Sequence, residues 1–268
     1  MTGAGNSLRM RRLSGPGDGK YLFVPLDHGV SDGPVVPQAR WNGLLQAVVD
    51  GGADAIIVHK GRARSVSPEI LRQCALVVHL SAGTPYAADT DAKVLVASVE
   101  EAVRYGADAV SVHVNLGSDT EHQQLTDLGT VAASCDAWNV PLFVMIYARG
   151  PRIADPHDPV LLAHAVTIAA DLGADLVKTA IALPLDRMAE VVASCPVPVL
   201  AAGGAPDGTD LIGYGASVMR TGCQGLAVGR RIFSAPSPRA LISQLTAVVH
   251  AERPGTAARQ PMIEAGVA

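Results

Sequence analysis

Eight short apolar runs punctuate the chain. They are YLFVPLD (21–27), GGADAIIVH (51–59), ALVVHLS (75–81), GADAVSVHV (106–114), PLFVMIY (141–147), GADLVKTA (173–180), PVLAAGG (198–204) and GCQGLAVG (222–229). Most are continuous rather than alternating, as parallel strands covered on both faces are. Three of them open on Gly-Ala-Asp and the last is a looser copy, so the chain carries a weak internal repeat. Helical periodicity fills most of the intervals. In 158–172, Asp158 suits an N-cap, Pro159 suits the first helical position, and Leu161, Ala165, Ile168 and Leu172 form a stripe. Ser237, Pro238 and the Leu241, Leu245, Val248 stripe repeat the device over 237–250. Eight strands alternating with helices predict an α/β fold, a single (β/α)8 TIM barrel over 20–252, with flexible segments at 1–19 and 253–268. An open doubly wound sheet is the rival. It calls for a glycine-rich fingerprint after the first strand, and LDHGVSDGP is not one.

Composition narrows the functional classes. The 268 residues are 49% hydrophobic but only 4% aromatic, so the core is built of small branched side chains. Net charge is −4, and RMRR (9–12) is the one basic run, which gives nucleic-acid binding little support. Cys74, Cys135, Cys195 and Cys223 are widely spaced and form no CxxC pair, as expected of free thiols in a cytoplasmic protein. No apolar run reaches 18 residues and no secretory h-region opens the chain, so no membrane association is expected.

Chemistry in such a barrel sits where strands end. The strand ends here carry Asp27-His28, His59-Lys60, His79, His113 with Asn115, Tyr147, Lys178, Gly203-Gly204 and Gly229-Arg230. Lys178 is the anomaly. The chain has only four lysines, and this one lies inside an apolar strand. A desolvated lysine has a lowered pKa, and its neutral amine can attack a carbonyl to form a Schiff base. The bland alternative is a structural pair with Asp27. The late glycines with Arg230 suit a phosphate, held by backbone N–H groups. Tyr147 and Asp27 are candidate proton carriers, His28 and Lys60 candidate substrate ligands, and His79 and His113 are expected to be hydrogen-bonded structural residues. Lys60 is the rival nucleophile, but it follows its strand and precedes Gly61. A metal aldolase using His28, His59, His79 and His113 would have no use for Lys178. A phosphosugar-binding barrel would need neither Lys178 nor Tyr147. Neither a metal nor a cofactor is expected.

The stretches VPLDHGVSDGP (24–34), VHKG (58–61), GADAVSVHVNLGS (106–118), MIYARG (145–150), GADLVKT (173–179), AGG (202–204) and GLAVGRRIF (225–233) resemble the archaeal-type class I aldolases, in order over about 20–250. The closest branch is that of the amino-dideoxy-heptulosonate synthases and their bacterial relatives. The resemblance implies Lys178 as the Schiff-base residue, Tyr147 as proton donor, Asp27 as general acid/base, and Gly203, Gly204, Gly229 and Arg230 as the phosphate site. It implies a phosphorylated ketose donor, dihydroxyacetone phosphate in one branch and a deoxyketohexose phosphate in the other, with L-aspartate 4-semialdehyde as acceptor. Fructose-bisphosphate cleavage is a third activity. It also implies a homo-oligomer, a pentamer-based ring or decamer. Two departures stand out: Ala148 replaces a proline common between the Tyr and Arg, and TAIALPLD (179–186) replaces an expected Ser/Thr-Gly-Asp run near the acceptor.

Overall fold

The computed structural model describes residues 3–204 and 210–251. Each apolar run contributes one strand: β1 Tyr21–Pro25, β2 Ala55–His59, β3 Ala75–His79, β4 Ala109–Leu116, β5 Leu142–Ala148, β6 Leu176–Thr179, β7 Val199–Ala202 and β8 Gly225–Ala227. Every strand pairs in parallel with its sequence neighbours, and β8 returns to β1, so the sheet closes. The predicted (β/α)8 barrel is what the chain forms, and the open-sheet rival is excluded. A two-stranded antiparallel ribbon, Ser81–Ala82 with Val94–Leu95, is added beyond β3.

The strand period of two decides what each residue faces. Tyr21 and Phe23, Ala55 and Ile57, Ala75 and Val77, Ala109, Phe143 and Met145, Leu176, Leu200 and Ala227 form one buried cluster inside the barrel. Their alternating neighbours, including Leu22, Val24, Ile56, Val58, Val144 and Val177, pack outward in a second cluster with the helices. Counting on by two from the inner cluster reaches Asp27, His59, His79, Ser111, His113, Tyr147 and Lys178.

The internal repeat has a mechanical meaning. Asp54, just before β2, accepts the Leu22 N–H of β1 at 2.6 Å. Asp108 does the same for Leu76 of β3 at 2.9 Å, and Asp175 for Leu142 of β5 at 2.8 Å. In the looser fourth copy the Gln224 side chain accepts Val199 N–H of β7 at 2.9 Å. Each even strand thus begins with a side chain that satisfies a donor of the strand before it, where the ladder would otherwise leave it unpaired.

The helices are α1 Ala4–Arg12, α2 Gln38–Asp50, α3 Lys60–Ala63, α4 Pro68–Leu71, α5 Val99–Arg104, α6 Glu121–Trp138, α7 Pro159–Asp171, α8 Met188–Ala193, α9 Leu211–Arg220, α10 Arg230–Phe233 and α11 Pro238–Val249. Asp158 caps α7 by accepting Val160 and Leu161 N–H. The buried stripe of α7 is Leu162, Ala165, Val166 and Ala169, one residue out of phase with the expected one. In α11 it is Ile242, Leu245 and Val249, and Ser237 makes no capping hydrogen bond.

Part of the segment 1–19, expected to be flexible, is helical in the structure. Within it α1 lies across the N-terminal end of the barrel. Arg9 donates to Ala107 O at 2.9 Å, Arg12 pairs with Asp108 at 2.8 Å, and Asn6 donates to Asp175 at 3.2 Å. Leu13 follows and is fully buried in the inner cluster. The basic run therefore serves intramolecular contacts. The tail expected at 253–268 lies outside the described residues.

Candidate active site

At the opposite, C-terminal end the barrel opens into a cavity of about 580 Å³. Lys178 reaches it from the middle of β6 and is only 9% exposed. It sits in register with Met145 of β5, and Tyr147 stands two residues further along that strand. The Lys178 Nζ lies 6.0 Å from the Tyr147 ring centroid. Tyr147 also contacts the His113 ring, centroids 5.1 Å apart, which fixes the plane of the phenol. Lys178 makes no ion pair among the described residues, so the structural pair with Asp27 does not form.

Asp27 is largely buried where β1 runs into its loop, its side chain 14% exposed, with His28 Nδ1 at 3.5 Å and His79 Nε2 at 3.8 Å. Burial on its own would raise the carboxyl pKa. The electrostatic influence of His79, His28, Lys178 and His59 outweighs that and holds Asp27 below the usual carboxylate range, so it is an anion facing the lysine. His79 and His113 go the other way. Burial pushes His79 down to about 4, and Ser111 Oγ binds its Nδ1 at 2.8 Å. His113 is pushed well down by burial and by Lys93, with its Nε2 donating to Asn115 Oδ1 at 2.8 Å. His59 donates from Nδ1 to His79 O at 3.2 Å. The hydrogen bonds expected of His79 and His113 are present, yet both rings also line the cavity. Among the described residues no three His, Cys, Asp or Glu side chains converge as a metal-binding set.

Gly203, Gly204, Gly229 and Arg230 lie together on the β7–β8 side of the same cavity. Their contributions differ. The Gly203 amide already donates to Ala227 O at 3.1 Å, and a Cβ here would stand 2.7 Å from Val228 Cγ1, so this glycine serves close packing against Val228 rather than offering a free donor. Gly204 has φ +69 and nothing within 4 Å of where a Cβ would stand. A Cβ on Gly229 would come 2.5 Å from His28 Cε1 and 2.6 Å from Pro25 O. Glycine is therefore what allows His28 to reach the mouth. Arg230 opens α10, with Asp32 at 4.0 Å.

Lys60 is placed elsewhere, which corrects its expected role. It follows the outward residues Ile56 and Val58 in parity, starts α3, and pairs with Glu101 of α5 at 3.1 Å. Two other cations occupy the cavity instead, Lys93 and Arg149. Neither was among the expected site residues. Arg149 is Tyr147 plus two, so strand parity carried the signal for it. Nothing local marked Lys93, which arrives on the loop leading to the ribbon strand Val94–Leu95. The apolar run after Lys178 also borders the cavity. His157 Nδ1 donates to Ile181 O at 2.7 Å and Leu183 N–H donates to His157 O at 3.0 Å, so this run is held by its backbone and offers no hydroxyl.

A closed parallel barrel with an amine, a phenol and a carboxylate converging beside two glycine loops defines a catalytic (β/α)8 barrel suited to carbonyl chemistry. Comparison with known proteins makes the class specific. The sequence pattern of the DeoC/LacD family aldolases matches residues 21–235. The chain is 47% identical over 257 residues to the 2-amino-4,5-dihydroxy-6-oxo-7-(phosphonooxy)heptanoate synthase of Streptomyces griseus, covering 95% of this chain and 94% of the relative. It is 39% identical to the 2-amino-3,7-dideoxy-D-threo-hept-6-ulosonate synthase of Halobacterium salinarum, covering 93% of each. A Schiff-base-forming fructose-1,6-bisphosphate aldolase superposes with TM-score 0.80 at 26% identity, covering 91% of this chain and all of the other. An archaeal fructose-1,6-bisphosphate aldolase with its catalytic lysine bound to the carbinolamine of the substrate gives the same score and identity, covering 91% of this chain and 98% of the other. The chain belongs to the DeoC/LacD aldolase family and is an enzyme of the class I aldolase type. Among the described residues no helix is long and apolar enough to cross a membrane.

Proposed function

We propose that the protein joins dihydroxyacetone phosphate to L-aspartate 4-semialdehyde through a Schiff base on Lys178, giving 2-amino-4,5-dihydroxy-6-oxo-7-(phosphonooxy)heptanoate on a route to an aminohydroxybenzoate. The observation that carries the reading is Lys178 itself: a buried amine with no ion-pair partner among the described residues, 6.0 Å from the Tyr147 ring, in a cavity that also holds Gly204 and Gly229. The Streptomyces griseus relative supports the substrate pair by its name. The phosphate is seated against Gly204, Gly229 and Arg230, with Gly203 and His28 flanking.

The chemistry follows from these groups. The Lys178 amine adds to the donor carbonyl, and loss of water gives an iminium. That cation draws electrons from the neighbouring carbon, whose proton departs to leave an enamine. The enamine carbon bonds to the aldehyde carbon, and Tyr147 donates its proton to the new alkoxide. Water then releases the product from Lys178. Asp27, a largely buried anion, stabilises the iminium and exchanges protons during formation and loss of water. The homo-oligomer is carried by the family resemblance and a cytoplasmic location by the four free cysteines, and sedimentation velocity reads the first.

The structure changes the competitor to exclude. Lys60 is outside the cavity, and Lys93 is the other lysine inside it. Lys178 is mounted on a strand beside Tyr147, whereas Lys93 is carried by a loop. Borohydride reduction with dihydroxyacetone phosphate, followed by peptide mapping, is expected to place the adduct on Lys178. The adduct should persist in Lys93→Met and vanish in Lys178→Met. An adduct on Lys93, or activity with no adduct, refutes the assignment. Mass-spectrometric identification of the seven-carbon phosphate tests the substrate pair.

A further inference from the structure

The cavity has a second cationic end that donor chemistry leaves unused. Lys93 and Arg149 line it together with Lys178, and neither forms an ion pair among the described residues. Unpaired cations crowded in a half-buried site are costly, and nature retains them where an anion completes the set. We propose that Lys93 and Arg149 seat the carboxylate of the acceptor aldehyde and so select a carboxylated acceptor. This deepens the aldolase reading and rests on it.

Lys93 is held in place deliberately. Its loop is tied to the barrel by two buried amides: Asn115 Nδ2 donates to Asp91 O at 2.7 Å, and Gln124 Nε2 to the same oxygen at 3.2 Å. The nearby Asp89 carboxylate is occupied, accepting Asp91 N–H at 2.9 Å and Thr120 Oγ1–H at 3.1 Å. Gly83 makes space for the ammonium, since a Cβ there would stand 2.8 Å from Lys93 Nζ. Burial lowers the Lys93 pKa and the Arg149 charge lowers it further, while Asp91 and Asp89 oppose both. A bound anion would relieve the first two effects together.

The spacing fits an acceptor of this class. The Arg149 guanidinium lies 5.3 Å from the Tyr147 ring centroid, and Lys178 Nζ lies 6.0 Å from it. An acceptor aldehyde meeting the Lys178 enamine at the Tyr147 hydroxyl therefore has the Arg149 guanidinium against the same ring. In aspartate semialdehyde three carbon–carbon bonds, about 4 Å end to end, separate the aldehyde carbon from the carboxylate carbon. The other flank offers nothing equivalent, because Ala180–Ala182 is apolar and its backbone is tied to His157.

Steady-state kinetics test the seat. Lys93→Met is expected to raise KM for aspartate semialdehyde by about 10- to 100-fold, the loss typical of a charge-assisted contact, with kcat and KM for dihydroxyacetone phosphate within a few-fold of wild type. Lys93→Arg should restore most of the acceptor affinity. The borohydride adduct on Lys178 reports that the variant is folded and its donor site intact. An unchanged acceptor KM overturns the seat, as does a loss that falls equally on both substrates with the adduct intact. Absence of the donor adduct in the wild-type enzyme is a separate result that refutes the underlying aldolase reading, and the acceptor assignment with it.

Discussion

Tyr147 and Lys178 are two residues further along the same inward file as Met145 and Leu176. Strand parity thus turns a core-filling sequence into a chemical one within a single step. The phenol is held by contacts on both sides, the His113 ring at 5.1 Å and the Arg149 guanidinium at 5.3 Å. Tyr147→Phe keeps the ring and these contacts but removes the proton. It is expected to lower kcat by about 10²–10⁴-fold while the Lys178 adduct with dihydroxyacetone phosphate still forms. Near-normal turnover in a stopped assay would remove Tyr147 from the proton transfer. Parity also explains Lys60, whose file is that of Ile56 and Val58, so it leaves the barrel toward α5 and Glu101. The lysine anomaly, the tyrosine and the glycine pairs were legible in the sequence because each is unusual in its own local run. Lys93 was not, because its position depends on Asn115 and Gln124, which belong to elements farther along the chain.

At the scale of elements, the eight strand positions were legible and the helix phases were less so. In α7 the stretch from Val160 to Ala170 is apolar on nearly every side, so periodicity fixes a helix but not which face is buried. Packing against β5 and α8 chooses Leu162, Ala165, Val166 and Ala169. The repeated Asp is a stronger local signal, since it binds the preceding strand three times and Gln224 does so once. The first copy carries a titratable addition. His250, the residue after α11, bonds Asp54 and Asp18 at 3.0 Å each. Burial alone would lower its pKa, but the two hydrogen-bonded carboxylates raise it above 6.5. A raised folded pKa gives stability that is fully present below the unfolded value near 6.5 and is lost as pH rises through the folded value. Thermal melts of the wild type should therefore fall in Tm as pH rises above about 6.5. His250→Gln should flatten that dependence, and an unchanged slope would show that this bridge is not linked to folding.

For the whole molecule, closure is the decisive event. It gives the barrel an inside, and α1 then shuts the lower end with Leu13. Leu13→Ala would leave a cavity under the inner cluster and is expected to destabilise the fold by about 2–5 kcal/mol, read by urea denaturation. Because the site is at the other end, kcat/KM of the folded variant should stay near wild type. A negligible change in stability would mean that α1 is not part of the folding unit.

The sequence by itself determined the strands, their alternation with helices, and the chemical identity of the strand ends. These are local properties, set by composition and by periods of two and 3.6. Only the tertiary structure decided which of those ends meet. It brought Asp27, His79, Tyr147 and Lys178 into one cavity, sent Lys60 outside, folded a helix from a segment expected to be flexible, and delivered Lys93 beside Arg149. The physical reason is that eight strand ends share a mouth only when β8 pairs with β1, a contact between residues 21–23 and 225–227 that no local pattern encodes.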